Sequence, residues 1–344
     1  TGPKDRWVYF NATIDGVLNN NIYALDINSG KIVKLSSPDG THRGILNKNG
    51  KYLIYIYSDT TTTRVYKIVE NKVKIVQVLQ EDHDPLGDYR LGDLSIFPLK
   101  ADDGTDLYCR MIRPVDFDPS KKYPVIVYVY GGPHAQLVTN SWLGGAGLFL
   151  NYLSTKGYIV FTLDNRGSAH RGLEFEQALF RNMGTIEIED QMVGIKYLKS
   201  LEYVDADRIG VDGWSYGGFM TISMMLKQPE TFKVGVAGGP VTDWKYYEVM
   251  YGERYMDTPE QNPDGYKNAS LLNYADKLEG DLLIIHGTSD PVVVWQHSQD
   301  LIRHFIDEGK QVDYFVYPGH GHGVGGKNRL HLNQKIVKYF DDHL

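Results

Sequence analysis

The sequence has little of three features that would point to other classes of protein. A single cysteine, Cys109, excludes an internal disulfide. No run of about 18 apolar residues occurs, so no membrane-spanning helix is predicted. The formal net charge is −7 and no local basic cluster compensates for it, which argues against a nucleic-acid partner because a phosphate-binding surface needs an excess of Lys and Arg. Hydrophobic residues at 42% and charged residues at 23% are instead typical of a globular protein.

The first part of the chain predicts a β-rich unit. The 344 residues exceed the usual size of one compact domain, so two units are expected. Up to residue 85, short strands are separated by turn signals such as Asn28-Ser29-Gly30 and Lys48-Asn49-Gly50. Strands are predicted over residues 7–10, 21–26, 31–35, 51–57, 64–69 and 72–79. The spacing suits about two β-propeller blades, so we expect residues 1–85 to be the C-terminal end of a longer propeller. A small free-standing β-sheet domain is the alternative.

Residues 86–344 predict a different architecture, in which strands alternate with helices. Buried strands are predicted over residues 125–130, 158–163, 208–211, 234–237, 282–285 and 314–316. Apolar residues at helical spacing over 188–198 and 301–306 indicate helices between them. This alternation predicts an α/β fold with a doubly wound, mostly parallel sheet.

The segment Gly213-Trp214-Ser215-Tyr216-Gly217 carries the most informative motif. It follows the strand-like residues 208–211 and precedes a helix-like run over 219–226, which is the strand-turn-helix context of a nucleophile elbow. The serine of such an elbow sits on a strained turn, where flanking side chains would collide with the strand and the helix. The motif therefore predicts a serine hydrolase with Ser215 as nucleophile. A chance match without catalysis is the alternative.

A nucleophilic serine needs a base and an acid, which in this fold follow it in the order Asp or Glu, then His. Asp290 lies just beyond the strand over 282–285, at the sheet edge where ligand chemistry gathers in parallel sheets. The glycine-rich loop after the next strand offers His320 and His322, and the residues alone leave the choice between them open. The two histidines also resemble a metal site, but an i, i+2 pair without a nearby cysteine is weak as a zinc site. Neither a metal nor a cofactor is expected.

Taken together, the motifs resemble the prolyl oligopeptidase family of serine peptidases, and within it the dipeptidyl peptidase IV branch. The resemblance covers residues 94–344 and is carried by Tyr130-Gly131-Gly132-Pro133, Asp164-Asn165-Arg166-Gly167-Ser168, Gly213-Trp214-Ser215-Tyr216-Gly217-Gly218, Trp244-Lys245-Tyr246-Tyr247 and Tyr251-Gly252-Glu253-Arg254-Tyr255. Residues 290–297 and 339–344 look most like the bacterial prolyl tripeptidyl peptidases of that branch. The implied fold is an α/β-hydrolase domain preceded by a propeller segment.

The resemblance implies a role for each catalytic candidate. Ser215 is the nucleophile, Asp290 the orienting acid and His322 the base, because the family's histidine comes five positions after the tyrosine that ends the last strand. The oxyanion is expected to be bound by the hydroxyl of Tyr130 and the backbone N–H of Tyr216. Without the resemblance, Tyr130 is simply an aromatic residue packed at a strand end.

The same resemblance implies where the substrate binds. A peptidase that cuts after proline needs a tight apolar pocket, and aromatic faces can line one. Val241, Trp244, Tyr247 and Tyr251 are expected to line this pocket, with core packing as the alternative. Glu248 looks like the carboxylate that binds the substrate's free α-amino group, which is cationic near neutral pH.

These features predict a serine exopeptidase that releases N-terminal X-X-Pro tripeptides through an acyl-enzyme. Val292 favours tripeptides, because the dipeptidyl enzymes carry there an asparagine that anchors a substrate carbonyl. The alternatives are X-Pro dipeptide release, a less selective acyl esterase or oligopeptidase, and a non-catalytic module on the same fold. The resemblance also implies gating residues upstream of Thr1, impaired activity of these residues alone, proline-containing peptides as substrates, homodimers, and export to the periplasm, cell surface or medium.

Overall fold

The structure is a computed structural model that describes residues 6–48, 51–70, 74–81 and 83–344. The chain divides into two compact units. The first unit comprises Thr1–Arg90 and Gln136–Leu148, and the second comprises Leu91–Ala135 and Phe149–Leu344.

The first unit contains two small antiparallel sheets. The three-stranded sheet has the order β1 (Trp7–Ala12), β2 (Asn21–Asp26), β3 (Ile32–Lys34). The four-stranded sheet has the order β4 (Thr41–Leu46), β5 (Tyr52–Ser58), β6 (Val65–Glu70), β7 (Lys74–Gln80). Ile22, Leu53 and Val69 form a small apolar core in this unit.

One predicted hairpin turn of this unit is confirmed, and one strand had not been predicted. Gly30 has φ +70° and donates its N–H to Asp26 O at 2.8 Å, which closes the turn between β2 and β3. Strand β4 was missed because Gly44 interrupts its apolar pattern. A Cβ on Gly44 would lie 2.9 Å from Leu53 Cδ1, so the glycine allows a close approach inside the sheet. The second predicted turn includes Asn49 and Gly50, which lie outside the described residues.

The second unit is built on one eight-stranded sheet. Its strands are β8 (Leu94–Lys100), β9 (Asp106–Ile112), β10 (Tyr123–Tyr128), β11 (Ile159–Leu163), β12 (Val204–Trp214), β13 (Val234–Gly238), β14 (Asp281–Gly287) and β15 (Asp313–Tyr317). The spatial order is β15-β14-β13-β12-β10-β11-β9-β8. Strands β10 to β15 pair in parallel, and β8 and β9 add an antiparallel edge. The predicted α/β fold with a mostly parallel sheet is therefore confirmed.

Helices alternate with these strands. They are α1 (Leu148–Thr155), α2 (Leu173–Glu176), α3 (Ile186–Lys199), α4 (Tyr216–Lys227), α5 (Val249–Met256), α6 (Pro263–Ala269), α7 (Gln296–Asp307) and α8 (Lys327–His343). Helix α3 has acidic residues in its first turn and lysines in its last, which complements the helix dipole. Every residue of α4 from Tyr216 to Leu226 is buried, because this helix packs against β12 and β13.

The parallel strands β12 to β15 place their carboxyl ends at one edge of the sheet, and the segments that follow β12, β14 and β15 carry the catalytic candidates. The buried thiol of Cys109 lies in β9, where burial raises its pKa, in keeping with a packed side chain. Within the described residues, no helix is both long and apolar enough to cross a membrane. In the same ranges, no group of three acidic, cysteine or histidine side chains could hold a metal ion.

Candidate active site

Ser215 occupies a strained turn between β12 and α4. Its backbone has φ +63° and ψ −117°, a conformation that costs a non-glycine residue about 1–3 kcal/mol and persists only where the surroundings enforce it. Two hydrogen bonds enforce it here. Ser215 N–H donates to Gly238 O at 2.8 Å, and Ser215 O accepts from Phe219 N–H at 3.0 Å as the first helical bond of α4.

The glycines on both sides of the serine are required by space. A Cβ on Gly213 would lie 2.3 Å from Gly217 O, and one on Gly217 would lie 2.3 Å from Val129 O. Both contacts are with backbone atoms, which cannot move aside as a flexible side chain could. The motif thus has the strand-turn-helix geometry that the sequence predicted.

Asp290 and His322 form a hydrogen-bonded pair. His322 Nδ1 lies 2.7 Å from Asp290 Oδ2, and because an ionised carboxylate can only accept, Nδ1 carries the proton and Nε2 is left as the acceptor of a neutral ring. The other oxygen, Asp290 Oδ1, accepts from the N–H groups of Val292 at 2.9 Å and Val293 at 3.0 Å. The Asp290 side chain is 1% exposed and that of His322 is 24% exposed. The carboxylate is thereby fixed while the imidazole stays accessible.

A second histidine supports the same loop and was missed by sequence reasoning. His286 is fully buried at the end of β14, with Nδ1 2.7 Å from Ser298 Oγ and Nε2 2.8 Å from Val293 O. Its Nε2 is also 3.4 Å from Asp290 Oδ2. Burial lowers the pKa of His286, so the ring is neutral near pH 7 and donates from Nε2. The signal available in the sequence was its position at the end of the strand that precedes Asp290.

The His322 loop is attached to the nucleophile elbow. Trp214 Nε1, one residue before the serine, donates to His322 O at 2.8 Å. A Cβ on Gly239 would lie 3.3 Å from His322 Cε1, and the neighbouring Gly238 accepts the hydrogen bond from Ser215 N. The imidazole therefore lies beside the segment that holds the serine backbone. Within the described ranges, no direct hydrogen bond joins Ser215 Oγ to the ring.

His320, the other histidine of the loop, has different partners. Its Nε2 lies 2.7 Å from Asn328 Nδ2, and its ring packs edge-on against Tyr317 at 5.9 Å between centroids. The structure thus brings Asp290 together with His322 and not with His320.

The two residues expected to supply the oxyanion donors have neighbouring side chains. The rings of Tyr130 and Tyr216 have centroids 6.0 Å apart, and a Cβ on Gly132 would lie 2.8 Å from the first ring and 2.7 Å from the second. Burial raises the pKa of Tyr130, so its hydroxyl remains protonated and able to donate. Tyr216 is the first residue of α4, where a backbone N–H has no acceptor inside the helix.

The aromatic residues predicted to bind substrate form one cluster. Trp244 stacks on Tyr251 with centroids 5.8 Å apart, meets Tyr247 edge-on at 5.4 Å, and contacts Tyr216 at 5.3 Å. Trp244 and Val241 are almost fully buried, whereas Tyr247 and Tyr251 are half-buried. The two tyrosines are therefore the accessible part of the cluster, and the other two residues lie behind them in the core.

Glu248 is exposed and forms the N-cap of α5. Its Oε2 accepts from Met250 N–H at 3.1 Å, while Oε1 has no hydrogen-bond partner in the part of the chain that the structure describes. The cap orients the carboxylate, and the free oxygen can accept from a cationic group.

The fold and this site define an α/β-hydrolase with a serine at its nucleophile elbow. Comparison with known proteins agrees: residues 148–344 match the model of the prolyl oligopeptidase family, and residues 2–64 match that of the dipeptidyl peptidase IV N-terminal region. The chain belongs to the prolyl oligopeptidase family and, within it, to the dipeptidyl peptidase IV branch.

Several relatives cover nearly all of this chain. It is 36% identical to dipeptidyl peptidase 8 of Mus musculus over 98% of its residues and 40% of that protein. It is similar to the crystal structure of Porphyromonas gingivalis dipeptidyl peptidase 4 at TM-score 0.93 and 33% identity, covering 98% of this chain and 48% of the other. A Bacteroides ovatus crystal structure matches at TM-score 0.92 and 46% identity, covering 99% and 50%. The chain thus spans about two fifths of the curated relative and about half of each solved chain.

Proposed function

We propose that this chain carries the catalytic residues of a serine exopeptidase that cleaves after proline and releases N-terminal X-Pro dipeptides. The observation that carries the proposal is the 2.7 Å Asp290–His322 hydrogen bond beside the strained Ser215, in a member of the dipeptidyl peptidase IV branch. The tripeptide release predicted first from the sequence is less well supported, because the named relatives are dipeptidyl peptidases.

In the proposed acylation step, Ser215 Oγ attacks the carbonyl carbon of the substrate's proline residue while His322 Nε2 takes the hydroxyl proton. Asp290 holds the ring and stabilises the imidazolium through Nδ1. The negative charge that develops on the carbonyl oxygen is bound by the Tyr130 hydroxyl and the Tyr216 N–H. His322 then gives its proton to the leaving amine as the peptide C–N bond breaks, which leaves an ester between Ser215 Oγ and the N-terminal dipeptide.

Deacylation uses the same groups in reverse. Water enters in place of the leaving amine, gives a proton to His322 and attacks the ester carbon. The bond between the acyl carbon and Ser215 Oγ breaks, His322 returns the proton to Ser215 Oγ, and the dipeptide leaves with a free carboxylate.

Substrate selection is proposed to come from the aromatic cluster and from Glu248. The rigid proline ring lacks an N–H, so an apolar wall formed by Tyr247 and Tyr251 over Trp244 suits it without leaving polar groups unpaired. The free oxygen of Glu248 would bind the substrate's α-ammonium group, which blocked peptides lack.

Tripeptide release remains a second candidate because of Val292. This residue stands two positions after Asp290, is 45% exposed, and offers an apolar side chain with no hydrogen-bond donor for a substrate carbonyl. Without such an anchor, a substrate can place one more residue between the scissile bond at Ser215 and an α-ammonium group bound by Glu248.

The proposal includes a peptidase domain over residues 86–344 and a propeller segment over residues 1–85. The two family models match inside these bounds, over 148–344 and 2–64, whereas residues 136–148 group with the first compact unit. Homodimer formation and export remain predictions of the family resemblance. Size-exclusion chromatography with light scattering and cell fractionation would test them.

The experiment is product analysis by mass spectrometry with the natural full-length protein. Gly-Pro-Leu-Phe-Lys and Ala-Ala-Pro-Leu-Phe-Lys are incubated in free and N-acetylated forms, with Ser215→Ala as the inactive control. Gly-Pro release from the free first peptide alone supports the proposal. Ala-Ala-Pro release from the second favours the tripeptide candidate. Turnover of p-nitrophenyl butyrate without any prolyl cleavage would identify an esterase and refute both.

A further inference from the structure

A buried carboxylate outside the triad contacts the residue next to the nucleophile. Glu187, in the first turn of α3, is fully buried. The Tyr216 hydroxyl donates to its Oε1 at 2.5 Å, the Gly184 N–H lies 3.0 Å from both carboxylate oxygens, and the Thr185 N–H donates to Oε2 at 3.1 Å. Both carboxylate oxygens therefore accept hydrogen bonds, and one of the donors is the Tyr216 side chain of α4.

Fold stability alone does not explain this arrangement. Burial raises the pKa of Tyr216, so the phenol keeps its proton and donates. Burial also raises the pKa of Glu187, but the hydrogen bonds from Gly184, Thr185 and Tyr216 oppose that rise and occupy both carboxyl oxygens as acceptors. A buried carboxylate has a large desolvation cost, and an apolar pair of similar volume is often as stable or more stable. Phenylalanine at position 216 would fill the same aromatic cluster. The hydrogen bond is therefore expected to serve geometry more than stability.

The side chain of Tyr216 is fixed at its hydroxyl and around its ring. Its hydroxyl is bound by Glu187, and its faces and edges contact Phe219 and Trp244, each with centroids 5.3 Å away. The backbone N–H at the other end of the residue directly follows Ser215. A ring that cannot tilt restricts the rotation of this peptide unit.

The next turn of α3 is linked through Asn165 to the loop that carries the second oxyanion donor. Gln191 Nε2 donates to Asn165 Oδ1 and to Leu163 O, both at 3.0 Å, and Asn165 Nδ2 donates to Gly131 O at 3.0 Å. Gly131 follows Tyr130, so the loop carrying that hydroxyl is tied to the same helix. One helix end thereby contacts the supports of both donors.

We propose that Glu187 is a positioning residue for the oxyanion hole: through the phenol of Tyr216 it fixes the backbone N–H that binds the developing oxyanion. This inference rests on the proposed function, because the oxyanion hole belongs to the peptidase reaction. Glu187 touches no reacting atom, and it acts through Tyr216. Gln191 supports the Tyr130 loop from the same helix.

The test compares Glu187→Gln, Tyr216→Phe and the double variant in the natural full-length protein, with Glu189→Gln as the matched control on the exposed side of the same turn. Active sites are titrated with a fluorophosphonate, so that kcat is expressed per active serine. The readouts are kcat, KM, and the inhibition constants of a prolyl boronic acid dipeptide and of the matching Gly-Pro product. The boronate forms a tetrahedral adduct on Ser215, whereas the product resembles the ground state.

Glu187→Gln is expected to lower kcat and boronate affinity by about 10- to 100-fold while KM and product affinity change less than about 3-fold. Tyr216→Phe is expected to shift the same two readouts, and the double variant to be no worse than the worse single one, because both substitutions remove one interaction. Glu189→Gln is expected to match the wild type.

Equal losses in boronate and product affinity, or strictly additive single effects, would overturn the inference. Unchanged kcat and boronate affinity in Tyr216→Phe would also overturn the inference. This variant removes only one oxygen atom, so it tests the hydrogen bond even if Glu187→Gln fails to fold. Should the wild type itself neither cleave prolyl peptides nor bind the boronate, the proposed function fails. An active wild type with unaffected variants refutes only the role of Glu187.

Discussion

The indole nitrogen of Trp214 donates a hydrogen bond to the backbone carbonyl of His322 across 2.8 Å. One residue next to the nucleophile thus holds the loop that carries the proposed base. This contact couples two segments that lie 108 positions apart in the chain. A glycine-rich loop has little rigidity of its own, so we expect this bond to limit the positions of the imidazole.

Trp214→Phe removes that donor and keeps most of the ring. We expect kcat to fall about 10-fold with KM little changed, as for the loss of one neutral hydrogen bond that aligns a base. Steady-state kinetics on a Gly-Pro reporter measure it, with Trp142→Phe in the first unit as control. Wild-type kcat in Trp214→Phe would show that the loop holds its position without the bond.

Asp290→Asn tests how the acid orients the base. The amide can offer its single oxygen either to the Val292 and Val293 N–H groups or to His322, and if the oxygen stays with the backbone, its NH₂ faces Nδ1. That forces the proton of the ring to Nε2, which can no longer accept from Ser215. We expect kcat to fall about 10³- to 10⁴-fold with intact folding. Asp307→Asn, exposed at the end of α7, is the control. A loss below about 10-fold would count against the assigned role.

Glu248→Gln tests the amine anchor. The uncharged amide can still occupy the cap position, but it lacks the charge that attracts an ammonium group. We expect kcat/KM for free Gly-Pro peptides to fall about 30-fold or more, since loss of one partner of a charge pair costs about 2–5 kcal/mol. Any residual turnover of N-acetylated peptides is expected to stay the same. Glu253→Gln, exposed on the same helix, controls for surface charge. Equal losses on free and blocked peptides would contradict the anchor.

Asp212 makes the stability of the fold depend on pH. It is 5% exposed in β12, and burial raises its pKa to about 7. An aspartate in the unfolded chain has a pKa of about 3.9, so between that pH and about 7 the folded state binds more protons than the unfolded state. The free energy of unfolding therefore falls as pH rises toward about 7 and levels off above it. Between pH 5.5 and pH 8.5, we expect the free energy of unfolding of the wild type to fall by about 2 kcal/mol through this group. Asp212→Asn is expected to lack this fall, because asparagine does not titrate.

Urea unfolding at both pH values measures this difference. Asp207→Asn, exposed on the same strand, is the control and is expected to follow the wild type. Identical pH dependence of the Asp212→Asn and wild-type proteins would mean that Asp212 titrates normally.

Local pattern predicted the α/β unit well because strands such as β11, β13 and β14 are buried on both faces and stand out as apolar runs. It failed where an element depends on distant contacts. Strand β4 is interrupted by Gly44, whose place is fixed by Leu53 of the neighbouring strand. Residues 136–148 group with the first unit through bonds such as Asn140 N–H to Leu18 O at 2.8 Å, and no local signal marks such a pairing.

The candidate site was predictable to a similar degree. Ser215 and Asp290 stand out because the elbow motif and the strand-end position are local signals. The choice between His320 and His322 required either the family resemblance or the structure, since both lie in one glycine-rich loop. Glu187 and His286 were missed because each acts by touching another site residue, and burial of a polar side chain is not visible in a sequence.

The most direct test of the central claim is fluorophosphonate labelling of the natural full-length protein, with the modified residue located by peptide mass spectrometry. The account predicts a label on Ser215 that nearly disappears in His322→Ala and persists within a few-fold rate in His320→Ala. A label on another residue, or a Ser215 label indifferent to His322, would contradict it.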